Sequence, residues 1–136
     1  MINDIKILLV EDNKLSQKII SFWLSKYNYK FVLAETGEKA IEFFRKDWFD
    51  IIIMDLMLPG INGFETSRLI REAEDIVYQK HSFIIALTAN TLDNDRARCL
   101  TYGMDEYMSK PIDVKALNEI LESFMSEKDK QNDRKF

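Results

Sequence analysis

The chain has little of what several function classes require. It carries one cysteine, Cys99, and one histidine, His81. A lone cysteine forms no internal disulfide, and the pair supplies no His/Cys cluster for zinc. Cys99 reads as a small apolar residue on a helix, and His81 as a solvated loop residue ahead of a strand. Dense basic blocks are missing: 19 Lys+Arg stand against 23 Asp+Glu, a net charge of -4. Such a chain is poorly suited to gripping a phosphate backbone, so no direct nucleic-acid partner is expected. Long apolar runs are missing as well. The first run, residues 5–10, is too short to span a bilayer and ends in two acids. No signal peptide follows from it, so no membrane insertion and a cytoplasmic location are expected. Internal repeats and inter-domain linkers are not seen.

What is present suffices for one domain. The 136 residues are 46% hydrophobic and 31% charged, enough for a core and a soluble surface. Four short apolar runs, residues 5–10, 31–34, 51–54 and 83–87, are continuous rather than alternating. That pattern predicts strands covered on both faces, as in a parallel sheet. A weaker fifth run, residues 104–108, precedes Ser109-Lys110-Pro111. Helical patterns separate the runs. Leu15, Ile19, Phe22, Trp23 and Lys26 form one stripe, expected to face the core. Thr36 caps a helix with Ala40, Ile41 and Phe44 inward, and residues 64–73 follow the Pro59-Gly60 turn. Val114, Leu117, Leu121 and Phe124 repeat behind a cap at Asp113. Residues 91–101 are helix-like but carry few apolar anchors, so the core holds them loosely. Strand and helix alternate five times, which predicts an α/β sheet with helices on both faces.

In such a sheet, ligands bind outside the carboxyl ends of the strands. The first strand is followed by Glu11 and Asp12, the third ends at Asp55, the fourth at Thr88, and Lys110 follows the fifth. Acids often end strands merely because solvated loop comes next, so Glu11 and Asp12 alone mean little. Asp55 differs, because it closes the most apolar run, Ile51-Ile52-Ile53-Met54, in the expected middle of the sheet. A carboxylate there loses hydration and must be compensated. Crowding three carboxylates pushes their pKa values up, and two devices relieve this: Lys110 and a hard divalent cation. Oxygen-only ligands with room for water suit Mg2+ (or Mn2+). An Asp carboxylate can itself attack phosphorus to give an aspartyl phosphate. Lys110, the Thr88 hydroxyl and the Ala89 amide are then candidate partners for the phosphoryl oxygens.

The segments Leu8-Leu9-Val10-Glu11-Asp12-Asn13, Ile52-Ile53-Met54-Asp55-Leu56-Met57-Leu58-Pro59-Gly60-Ile61-Asn62-Gly63, Ala86-Leu87-Thr88-Ala89 and Tyr107-Met108-Ser109-Lys110-Pro111 together resemble the receiver domain of two-component response regulators. The resemblance covers roughly residues 4–124. It implies a flavodoxin-like, doubly wound sheet of five parallel strands in the order 2-1-3-4-5 with five helices. It further implies that Asp55 is the phosphoacceptor, with direct Mg2+ coordination by Asp12, Asp55 and the Met57 backbone carbonyl, and Glu11 acting through metal-bound water. Thr88 and Tyr107 would be the switch pair, the ring turning inward as the hydroxyl is drawn to the phosphoryl group. Lys110-Pro111 resembles the family's cis peptide. The output surface would be helix 4, strand 5 and helix 5. One departure is the connection at residues 75–82, somewhat long for the family.

The expected function is therefore phosphorylation-dependent signalling. The donor would be a phosphohistidine of a histidine kinase or histidine phosphotransfer protein, and the readout a downstream protein. Such a domain catalyses its own phosphorylation and slow hydrolysis but is not a conventional enzyme. Met57 and Asn90 would flank the reacting centre and tune hydrolysis. Two other readings compete. An aspartate-dependent phosphatase of the haloacid dehalogenase type needs a second acid two residues after the nucleophile, where this chain has Met57. A receiver degenerated into a binding module would lack some of Asp12, Asp55, Thr88 and Lys110. The receiver is expected at residues 4–125, with a polar tail at 126–136 that is either a frayed helix extension or disordered and is too short for a further domain. Ala86-Leu87-Thr88-Ala89-Asn90 and Tyr102-Gly103-Met104-Asp105-Glu106-Tyr107 resemble receivers attached to hybrid histidine kinases.

Overall fold

A computed structural model describes residues 5–89 and 93–134, without side chains for residues 93–95 and 128–134. Asn90 and the start of the expected 91–101 helix lie outside the described residues. Five strands, β1 (Lys6–Val10), β2 (Lys30–Ala34), β3 (Ile51–Asp55), β4 (Phe83–Thr88) and β5 (Glu106–Ser109), alternate with five α-helices. The helices are α1 (Lys14–Lys26), α2 (Gly37–Lys46), α3 (Gly63–Ala73), α4 (Asp93–Thr101) and α5 (Val114–Arg134). All pairings are parallel and the order is β2-β1-β3-β4-β5, the expected one. Alternate residues of each strand feed two cores. Leu8, Val10, Ile52, Met54, Ile84 and Ala86 pack with α2, α3 and the end of α4. Ile7, Leu9, Ile51, Ile53, Ile85 and Leu87 pack with α1 and α5. Burial on both faces is why these strands read as continuous apolar runs.

Local signals place the helices. The side chains of Asn13, Thr36 and Asn62 accept hydrogen bonds from the amides of Ser16, Lys39 and Glu65, capping α1, α2 and α3. Asp113 accepts from the amides of Lys115 and Ala116 at the start of α5. Of the described side chains of α4, only Cys99 is buried, in keeping with the thin apolar stripe.

Two expectations need correction. The stripe Leu15, Ile19 and Phe22 faces outward, 67%, 43% and 61% exposed, while Gln17, Ile20 and Leu24 are buried. Helix α1 has two apolar stripes, and burial goes to the one whose polar member, Gln17, donates from Nε2 to the Glu11 carbonyl at 2.7 Å. Strand β5 spans Glu106–Ser109 rather than 104–108, because Met104 closes the turn after α4 and Asp105 bonds the Ile84 amide. The long connection after α3 begins with a π-helical turn, Glu74–Tyr78, whose Gln79 amide donates to the Glu74 carbonyl. Helix α5 continues to Arg134, in line with the helix-extension reading of the tail.

Candidate functional site

The carboxyl ends of β1 and β3 bring Glu11, Asp12 and Asp55 together, and the loop after β5 adds Lys110. One carboxylate oxygen from each of the three acids lies within 4.8 Å of the others. Glu11 and Asp55 are buried and Asp12 is exposed. The Lys110 Nζ is 2.8 Å from Glu11 Oε1 and 3.2 Å from Asp55 Oδ2. Asp55 Oδ1 accepts from the Met57 amide at 3.0 Å, and Glu11 Oε2 from the Asn13 amide at 3.4 Å.

Main-chain geometry builds this cleft. The Glu11 amide bonds the Ala34 carbonyl, and the Leu56 amide bonds the Leu87 carbonyl, extending the sheet one residue beyond the strands. A Cβ on Gly63 would lie 2.3 Å from the Asp55 carbonyl oxygen, so only glycine lets α3 start this close to β3. Thr88 is buried at the end of β4, and its carbonyl accepts from the Lys110 amide at 2.7 Å, fixing where the lysine leaves the sheet. Lys110-Pro111 is cis. Tyr107 pairs with Ala86 and packs on the α4 side of the sheet, the side to which Thr88 also alternates. Ala89 and Met57 are exposed at the mouth.

The charges are not balanced. Burial first, then the neighbouring Asp55 carboxylate, push the Glu11 carboxyl from 4.5 up to about 7, against the pull of Lys110. For Asp55 burial acts in the same upward sense, but the Glu11 carboxyl, the Met57 amide and Lys110 together hold it below the ordinary carboxylate value. Lys110 is held above its usual value by its two acidic partners, which outweigh its own burial. Without a cation the pocket thus favours the neutral form of Glu11, and the cluster has the donor set for a hard cation.

Sequence reasoning missed Gln17, whose buried amide anchors the end of β1. It also missed a pocket of about 150 Å³ beside the acids, lined by Glu11, Leu15, Ile19, Lys110, Pro111 and Ile112. The outward stripe of α1 forms one wall of that pocket, which an inward assignment of the stripe conceals.

A sequence model of the response regulator receiver domain matches residues 7–122. The chain belongs to the response regulator receiver domain family. Receivers are signalling domains of two-component phosphorelays rather than conventional enzymes. This receiver is 42% identical to part of hybrid signal transduction histidine kinase B of Dictyostelium discoideum, over 79% of the chain and 6% of the kinase. Across the kinases it matches, the chain spans 5–14% of their length. Among solved structures, it is similar to the receiver domain of sensor histidine kinase PA1611 of Pseudomonas aeruginosa, which has magnesium in its active-site cleft. That match has a TM-score of 0.81 and 36% identity, over 91% of this chain and 99% of the other. It is also similar to a Saccharomyces cerevisiae structure pairing the phosphotransfer protein Ypd1 with the receiver domain of its downstream response regulator Ssk1. There the TM-score is 0.78 with 30% identity, over 87% of this chain and 86% of the other. No described helix is long and apolar enough to cross a membrane.

Proposed function

We propose that this receiver takes a phosphoryl group onto Asp55 from a phosphohistidine of a histidine kinase or histidine phosphotransfer protein, beside Mg2+ (or Mn2+). The observation that carries this reading is the charge excess at the strand ends: three acids with oxygens within 4.8 Å of one another, and Lys110 as their nearby cation. An excess of that kind is costly unless something positive arrives with the ligand.

In the transfer, an Asp55 carboxylate oxygen attacks phosphorus. The new O–P bond forms as the P–N bond to the donor imidazole breaks, and the imidazole leaves with the electron pair and takes up a proton. Lys110, already 3.2 Å from Asp55 Oδ2, follows the charge onto a phosphoryl oxygen. The Thr88 hydroxyl and the Ala89 amide serve the remaining oxygens. Asp12, Asp55 and the Met57 carbonyl would hold the cation directly, and Glu11 through water. When bound, the cation neutralises charge on the phosphoryl oxygens. Movement of Thr88 toward the phosphoryl group lets Tyr107 turn inward and re-forms the surface of α4, β5 and α5. Hydrolysis of the acyl phosphate by water resets the domain slowly.

The donor docks on the outward stripe of α1, Leu15, Ile19 and Phe22, which is continuous with the pocket beside Glu11 and Lys110. An apolar patch adjoining a phosphoacceptor is where a donor helix gains affinity while its imidazole reaches the acid. The receiver unit is residues 4–125, with 126–136 a polar extension, and it works in the cytoplasm.

The test is intact mass after incubation of the whole chain with acetyl phosphate and Mg2+. One phosphoryl group is expected on the wild type and none on Asp55→Asn. An unmodified wild type, or equal modification of the variant, defeats the reading.

A further inference from the structure

At the opposite end of the sheet, Arg71 ties four segments together. Its Nε donates to the Gly103 carbonyl at 2.8 Å, and Nη1 to the Ser82 carbonyl at 2.7 Å and to both Glu74 oxygens. Nη2 donates to Asp105 Oδ2 at 2.7 Å, and that oxygen also accepts from the Ile84 amide. The guanidinium therefore joins the end of α3 to the π-turn, to the approach to β4 and to the corner between α4 and β5.

That corner is where the described part of α4 meets β5. The helix ends with the Gly103 amide on the Leu100 carbonyl and the Met104 amide on the Cys99 carbonyl. Gly103 takes a φ of +86°, and a Cβ there would press on Arg71. Beside it, Arg98 lies 4.1 Å from the Phe64 ring centroid, and the Tyr102 ring packs tilted at 50° with its centroid 5.3 Å from that of Phe64. Along the rest of the helix, only Cys99 among the described side chains is buried. The C-terminal end of α4 is thus held in place, and Tyr107 follows four residues after Gly103. A cavity of about 50 Å³ beside Tyr107 is lined by Arg96, Cys99, Leu100 and Met104.

We propose that Arg71 is a positioning residue for the switch: it pins residues 103–105 so that α4 rearranges about a fixed C-terminal end and Tyr107 turns against a fixed strand. This rests on the reading of Thr88 and Tyr107 as the switch pair. A guanidinium suits the task because its planar fork holds several acceptors at fixed angles, which the single ammonium of a lysine does not. Without the fork, β5 and α4 lose their common reference, and phosphorylation at Asp55 is no longer translated into one defined movement.

The experiment uses the full chain carrying 3-fluorotyrosine at position 107, as wild type, Arg71→Met, Arg71→Lys and Asp105→Asn. Each is treated with acetyl phosphate and Mg2+, and phosphoryl occupancy is read by intact mass. The fluorine resonance and amide exchange at residues 103–105 are read on the same samples. Wild type is expected to move its resonance on phosphorylation with those amides protected in both states. Arg71→Met is expected to reach full occupancy, lose more than half of the resonance shift, and exchange those amides about tenfold faster. Arg71→Lys should not restore the shift. Asp105→Asn keeps an acceptor for Ile84 and folds even where Arg71→Met does not; it is expected to lose part of the shift. A merely structural arginine would lower the melting temperature and leave the shift of fully phosphorylated variants intact, and that result overturns the proposal. A wild type that takes no phosphoryl group overturns instead the reading of Asp55. One that is phosphorylated without a Tyr107 response removes the switch pair.

Discussion

Two buried charge clusters occupy the two ends of one sheet. At the carboxyl ends of the strands, Glu11 and Asp55 are buried with Lys110, and the exposed Asp12 adjoins them. At the amino ends, Glu74 is buried with Arg71, and Asp105 adjoins them. The second cluster is closed. Glu74 accepts from Arg71 and from both the amide and hydroxyl of Ser82, and Asp105 accepts from Arg71 and the Ile84 amide. The first is open: a third acid, Asp12, lies within 4.8 Å, and burial drives the Glu11 carboxyl toward its neutral form. Burial and charge alone therefore do not mark a reactive site. What sets the proposed phosphoacceptor site apart is charge that the protein leaves uncompensated.

The sharpest way to break that contrast is to remove one acid from each cluster. Glu74→Ala leaves the Arg71 guanidinium and the Ser82 donors short of partners and is expected to cost about 3–5 kcal/mol in urea unfolding. Glu11→Gln keeps the shape and removes a like charge, so it is expected to raise the urea midpoint in magnesium-free buffer. If both changes destabilise equally, the two clusters are the same kind of feature and the open-versus-closed distinction fails.

A second comparison uses exposed apolar residues at the two ends. Phe22 lies on the α1 stripe beside the acid pocket, and Ile76 on the π-turn at the far end, 75% exposed. Phe22→Glu is expected to slow phosphotransfer from a phosphorylated histidine phosphotransfer protein about tenfold, equivalent to about 1.4 kcal/mol. Its phosphorylation by acetyl phosphate should be unchanged. Ile76→Glu should alter neither. Stopped-flow or autoradiographic transfer assays decide it, and equal slowing by both substitutions would remove the docking role from α1.

The same two ends differ in how far the sequence disclosed them. The strands were legible because double burial makes them continuous apolar runs, and Asp55 because a carboxylate closing Ile51-Ile52-Ile53-Met54 has no cheap explanation. Lys110 could be aligned with it from the Ser109-Lys110-Pro111 break after the fifth run. The inward face of α1 was not legible. Its two stripes lie about 200° apart, and choosing between them needs the Gln17 contact with Glu11, a tertiary fact. The Arg71 cluster left no trace at all, since residues 71, 74, 82, 103 and 105 share no period and only the positive φ of Gly103 hints at a constrained corner. The π-turn ends with the Gln79 amide on the Glu74 carbonyl and a left-handed Gln79, neither of which the side chains announce.

The pH dependence of stability is the most direct measure of the open cluster. Folding holds the Glu11 carboxyl at about 7 instead of 4.5, so between those values the native protein binds more protons than the unfolded chain. Stability without a cation must then fall as pH rises from 4.5 to 7 and level off above. Asp55 acts in the opposite sense, its depressed carboxyl adding stability that is lost only below the ordinary range near 3.8, outside this window. A divalent cation favours the ionised acids, so the gain in melting temperature on adding Mg2+ should grow as pH rises through 7. Thermal melts at pH 5, 6, 7 and 8, in EDTA and in MgCl2, read both slopes. In Glu11→Gln the EDTA slope should flatten, because the titrating carboxyl is gone. A wild-type magnesium gain that stays constant across this range would mean that proton and metal do not compete for one site.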